Sequence, residues 1–157
     1  MFKKSNLFFL DLEQTIIASW DDPVLINVDK ISAFLKQNRA DEVRIFSFAI
    51  YDDKDKRKFD DTIKHDIQRA LDLPVLTWPS VQDMMRADFE HTGVRFEPGH
   101  EMTEFIQLRG KAQGFFNYVC HHYNFDRAVL IDDVVPDLSF THRKKGWTVE
   151  LFNVDSL

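Results

Sequence analysis

The chain has 157 residues, 44% of them hydrophobic and 15 of them Phe, which suffices for one domain around a sizeable core. A formal charge of −6 and a pI near 5.4 argue against an extended nucleic-acid or anionic-membrane surface, since both need excess Lys and Arg; a small anionic ligand stays open, because a local cation can reverse the sign inside a pocket. The lone Cys120 allows no internal disulfide, and no run nears the roughly 18 apolar residues of a membrane span, so a cytoplasmic protein is expected.

Met-Phe-Lys-Lys-Ser-Asn at the start looks like the basic head of an export signal, but the apolar stretch behind it covers only Leu7 to Leu10 before Asp11 interrupts it. That stretch reads instead as a strand buried on both faces. Ile31, Phe34 and Leu35 share a helical face, with Asp29 as the expected N-cap. Val43 to Ala49 is the second expected strand. The charged segment Asp52 to Lys58 reads as a solvated helix entry, and Phe59, Ile63, Ile67, Ala70 and Leu71 continue it as a helical stripe. A third strand is expected around Pro74 to Trp78. Ser80 followed by Asp83 has the form of a capping box opening a helix through Val81, Met84 and Met85.

Thr92 to Gln107, with Gly93, Pro98 and Gly99, reads as an ordered loop or small lid whose only helical hint is Met102 to Leu108. From Lys111 to Tyr123 the residues Ala112, Phe115, Phe116, Val119, Cys120 and Tyr123 give one fully apolar helical face, which makes Cys120 a core residue. Ala128 to Ile131 and Trp147 to Phe152 supply the fourth and fifth strands. Between them, Arg143, Lys144 and Lys145 before Gly146 read as a basic last helical turn. Strands alternating with helices imply a single α/β domain over residues 1–157, a three-layer Rossmann-like fold with a central parallel five-stranded sheet.

Ligands of such sheets bind beyond the carboxyl ends of the strands, where chain order reverses. The first strand ends in Asp11-Leu12-Glu13-Gln14-Thr15, and the fourth in Asp132-Asp133-Val134-Val135-Pro136-Asp137. Carboxylates delivered side by side from apolar strands repel one another and resist desolvation, and a hard divalent cation such as Mg²⁺ relieves both problems. Ser47 places a hydroxyl where the second strand should end. Lys111 opens a helix, where its charge opposes the dipole unless an anion lies nearby. His121-His122 is rejected as a zinc pair, because neighbours on a helix diverge and no further ligand stands at zinc spacing.

In their order along the chain, Asp-x-Glu-x-Thr after an apolar run, a strand ending in Ser, a Lys opening a helix, and Asp-Asp-x-x-x-Asp after another apolar run, these motifs resemble the haloacid dehalogenase superfamily in a minimal-cap form. The resemblance implies that Asp11 is the nucleophile of a phosphohydrolase acting on a nucleotide or other small phosphomonoester, through an aspartyl-phosphate. It implies Mg²⁺ on Asp11, Asp133 and the backbone carbonyl of Glu13, with Asp132 and Asp137 supporting the metal waters and orienting Lys111. Ser47 and Lys111 would hold the phosphoryl oxygens, and Thr15 would brace the loop. Residues Ser19 to Asn27 would form a flap carrying Trp20, itself more simply a packed core residue. Any cap within Asp52 to Gln107 would be small, leaving a site open enough for a phosphorylated macromolecule end. Glu13 stands where phosphatases of the family usually carry an Asp acid and base. Its extra methylene bears on proton transfer, not on the carbonyl, so metal binding should tolerate it better than turnover; the alternative expectation is a weak or inactive protein that binds a phosphorylated ligand or partner.

Overall fold

The computed structural model describes residues 5–97 and 99–157; the rejected export-signal head falls largely on Met1 to Lys4, which lie outside them, as does Pro98. Five strands, β1 (Asn6–Leu10), β2 (Arg44–Ile45), β3 (Arg127–Asp132), β4 (Leu138–His142) and β5 (Trp147–Asn153), form one sheet in the order β2-β1-β3-β5-β4. β1 runs parallel to β2 and β3, and β3 parallel to β5; β4 is antiparallel to β5.

The continuous apolar runs of β1 and β3 feed two cores, because successive side chains leave opposite faces of a strand. Phe8, Leu10, Val129 and Ile131 face one side. They meet Ile31 and Leu35 of α1 (Val28–Gln37), and Phe59, Ile63 and Ile67 from the helical run α2 (Asp53–Lys58), a π-helical turn Phe59–Ile63 and α3 (Lys64–Leu71). Leu7, Phe9, Ala128 and Leu130 face the other side. There they pack on Val81 and Met84 of α4 (Val81–Thr92) and on Phe105, Phe115 and Val119 of α5 (Glu101–His122). Helices on both faces of a mostly parallel sheet make an α/β architecture compatible with a Rossmann-like fold. No helix among the described residues is long and apolar enough to cross a membrane.

The structure corrects several expectations. The sheet is not wholly parallel, and its edge strand is β4, which the sequence reading passed over in favour of residues 74–78. That segment only lines β2, through a bridge of Val75 to Val43 and bonds from Val43 N–H to Pro74 O (3.0 Å) and Ile45 N–H to Thr77 O (2.8 Å). Pro74 has no N–H for a ladder, and β2 is itself two residues long. The expected basic helical turn at 143–146 is the β4–β5 hairpin connection. A glycine at positive φ, here Gly146 at 73°, ends either kind of turn, so the signal was ambiguous. The N-cap of α1 is Asn27 at φ 57°, with Asp29 inside the first turn. Half of the expected loop at 92–107 is helix: α4 runs to Thr92 and closes on Gly93, and α5 begins at Glu101, taking in the hinted stretch Met102 to Leu108 and burying Phe105 completely. The Ser80–Asp83 capping box is present with both of its bonds.

Candidate active site

Chain order reverses at β1. The chain passes from β1 to β2 on one side and then returns to β3 on the other, so the carboxyl ends of β1 and β3 open the crevice of the sheet. The register pairs Leu10 with Ile131, and Asp11 N–H still donates to Ile131 O at 3.0 Å, which sets Asp11 beside Asp132. Asp11, Asp132 and Asp133 each offer a carboxylate oxygen, all within 4.8 Å of one another. Asp132 is fully buried and Asp11 nearly so.

Lys111 reaches this cluster from the opposite core. Inside α5, Gly110 leaves helical geometry at φ 64°, ψ −174°, so a fresh helical segment starts at Lys111. Its ammonium lies 2.9 Å from Asp11 Oδ1 and 3.1 Å from Asp132 Oδ2, above the Phe48 ring at 4.6 Å. The contact to buried Asp132 Oδ2 is an ion pair with the ammonium as its one partner among the described residues. Asp132 Oδ1 accepts Val134 N–H at 2.7 Å. Burial, then the negative charges of Asp11 and Asp132, push the Asp133 carboxyl up to about 6. Burial also raises Asp132, against the pull of Lys111.

Beyond Asp11 the chain makes one tight turn, with the N–H groups of Thr15, Ile16 and Ile17 all directed at Leu12 O. The turn buries Thr15, whose hydroxyl donates to Asp11 Oδ2 at 3.3 Å. Residues 16–26 then fold as a small hairpin, closed by Ala18 N–H to Val24 O and Ile26 N–H to Ile16 O. The Glu13 carboxylate accepts Trp20 N–H from this hairpin at 2.8 Å. Trp20 packs partly buried against the core under Lys58, as the plainer sequence reading held. Ser47 follows the short β2, fully buried; its Oγ accepts Ala49 N–H at 3.2 Å, which leaves the hydroxyl proton to donate.

Asp11, Glu13, Ser47, Lys111, Asp132 and Asp133 therefore line one cavity of about 530 Å³, with Phe48, Ala49, Ile106 and Val134 among its apolar walls. Asp137 stands apart from Lys111: it is exposed, and its Oδ1 accepts Asn153 N–H at 2.8 Å. The Asn153 amide in turn donates to Asp133 O and Val135 O, at 3.1 and 3.0 Å, and so holds the acidic loop. Sequence reasoning missed this residue, though a polar side chain closing the apolar strand β5 was a usable signal. It also missed buried Asp88, which accepts from Arg109 Nε at 2.8 Å and Asn117 Nδ2 at 2.6 Å and so anchors α5 just before Gly110. The rejected zinc pair has other partners: His121 meets Glu90, and His122 packs on Tyr118. No family model, no curated protein and no solved structure matches this chain.

Proposed function

We propose that the chain is a Mg²⁺-dependent phosphohydrolase of the haloacid dehalogenase type, acting on phosphomonoesters through an aspartyl-phosphate on Asp11. The observation that carries this reading is the bridge of Lys111 between Asp11 and Asp132 at the crevice of the sheet, with Ser47 and Thr15 on the same cavity or carboxylate. A lysine that served only to neutralise buried acids would not need a hydroxyl donor and an open cavity beside it.

The donor set fits a hard divalent cation. Three carboxylates against one ammonium leave two negative charges over, and burial with the neighbouring Asp11 and Asp132 already raises the Asp133 carboxyl to about 6. Asp11 and Asp133, with the Glu13 carbonyl, would hold the ion, and Asp132 would stand behind it. When bound, Mg²⁺ supplies charge neutralisation that lets an anionic nucleophile approach an anionic phosphate. Lys111 and the Ser47 hydroxyl bind the phosphoryl oxygens, and Thr15 fixes the carboxylate of Asp11 for in-line attack on phosphorus. The Asp11–phosphorus bond forms as the ester oxygen leaves with a proton from Glu13. Glu13 then takes a proton from the water that cleaves the acyl-phosphate.

Lys111 is the one cation among the described residues that line the cavity, beside the apolar Phe48, Ala49, Ile106 and Val134. This suits a single phosphate on a small or partly apolar group, or a phosphorylated macromolecule end presented to the crevice. A second reading, binding of a phosphorylated ligand without turnover, rests on Glu13 being engaged by Trp20 N–H. Metal-dependent phosphate release from a chromogenic aryl phosphate, lost in Asp11→Asn, is the expected result. No turnover across a phosphomonoester panel with Mg²⁺, Mn²⁺ or Co²⁺, alongside retained Mg²⁺ binding, would select the second reading.

A further inference from the structure

The two edges of the sheet are finished differently. The β2 edge is lined by residues 74–77, led by a proline. The β4 edge carries no such cover: among the described residues, β4 pairs only with β5. Proteins usually blunt a free edge with a charge, a proline, a bulge or a covering segment. Leu138-Ser139-Phe140-Thr141-His142 has no proline and no Lys, Arg, Asp or Glu, and its register against β5 runs without a bulge. Leu138 and Phe140 stand 55% and 51% exposed on the face that meets α5, over an apolar groove of about 330 Å³ shared with Ala112, Phe116, Val149 and Leu151.

The charges flanking this strand are arranged for self-pairing. Asp137 lies three residues before Phe140 and Arg143 three residues after it, both exposed. An antiparallel pairing of β4 with a second β4, about a two-fold axis through Phe140, sets Ser139 against Thr141 of the partner subunit and Asp137 against Arg143 of the partner subunit. Each opposite-charge pair then occurs twice, whereas a parallel pairing in register would set like charges together. Because the axis is perpendicular to the sheet, both Phe140 rings fall on the α5 face and join the two apolar grooves.

We propose that β4 is a homodimer interface, through which two copies of this chain pair antiparallel about Phe140 into one ten-stranded sheet. The occupant is a second copy because the strand is complementary to itself in both apolar pattern and charge. This inference does not depend on the phosphohydrolase reading.

Analytical ultracentrifugation across a concentration series gives the first test: a closed dimer is expected. Phe140→Lys should weaken it by at least about tenfold in Kd, the scale of losing an interface anchor. At concentrations where the natural chain is monomeric its thermal melt should change little, since Phe140 is half exposed in one chain. Arg143→Glu should weaken the dimer a few-fold, about the value of two exposed ion pairs, and Asp137→Lys in the same chain should restore it. Register is tested in a Cys120→Ser background: Phe140→Cys should form an intermolecular disulfide on mild oxidation. Leu138→Cys alone should not, but should cross-link when mixed with His142→Cys. A monomer at all concentrations, an open-ended assembly, a dimer indifferent to Phe140→Lys, or cross-linking through Leu138→Cys alone would each overturn the proposal.

Discussion

The Glu13 carboxylate accepts the backbone N–H of Trp20 at 2.8 Å, which ties the side chain two residues beyond Asp11 to the hairpin that follows. Lys58 completes the link by donating to Trp20 O at 2.9 Å while lying over the indole ring. Glu13→Gln keeps an acceptor for Trp20 N–H and removes the proton. It should therefore lower kcat by about 10²- to 10⁴-fold while leaving the melting temperature nearly unchanged. Glu13→Asp should fall short of the amide, and hydrogen exchange at Trp20 should speed up. A rise in turnover in that variant would show that the hairpin restrains the acid in the natural chain.

Lys111 joins two carboxylates that are otherwise packed into the protein, its own side chain being 8% exposed. Removing one partner of such a cluster strands the others, so Lys111→Met should cost about 3 kcal/mol in metal-free urea unfolding. Mg²⁺ should return part of that loss, because it supplies charge to the same acids. The increase in unfolding midpoint on adding Mg²⁺ is therefore expected to be larger in Lys111→Met than in the natural chain, while phosphate release is abolished. An equal Mg²⁺ response in both would place the ion away from Lys111.

How much of this site was legible depended on whether the signal was local. Asp11, Asp132 and Asp133 were visible because an apolar strand that ends in acids is locally anomalous, and β1 and β3 were visible because both of their faces are buried. Lys111 was placed through the apolar stripe that follows it. β4 was not legible, since an edge strand facing a half-open groove lacks the continuous apolar run of a buried strand, and Leu-Ser-Phe-Thr-His alone does not outweigh the basic residues after it. The clamp of Asn153 and the anchoring of Arg109 by Asp88 join residues 18 to 21 positions apart, and nothing in spacing announces such pairs.

Asp133 gives the metal-free protein a defined pH dependence. Its folded carboxyl is raised to about 6 from 3.8, by burial first and then by Asp11 and Asp132. Below the unfolded value both states are protonated and its stabilising contribution is complete. As pH rises through about 6, the folded state must give up a proton it holds more tightly than the unfolded chain does, and that contribution is lost. With chelator present, Asp133→Asn should therefore be more stable than the natural chain at neutral pH, and the gap should close as the pH is lowered through that window. Denaturant midpoints of both proteins along a pH series measure it. A gap that widens on acidification would contradict the crowded-acid account of the site.

Gly110 sets where Lys111 begins its helix, and backbone geometry is the reason it is glycine. An added Cβ would meet nothing within 4 Å, but φ 64° with ψ −174° lies in a region that only glycine enters without strain. Gly110→Ala should therefore destabilise the chain by about 1–3 kcal/mol, or else shift the helix start and pull Lys111 off Asp11, lowering kcat/KM. Asn tolerates the compact left-handed conformation but not this extended ψ, so Gly110→Asn should give no rescue. Gly93 is the internal control: it closes α4 at φ 74°, ψ 3°, where Asn is tolerated, and Gly93→Asn should be nearly neutral. Equal cost at the two positions, by thermal and denaturant unfolding, would mean that the bend before Lys111 is an ordinary helix end and not a fixed element of the site.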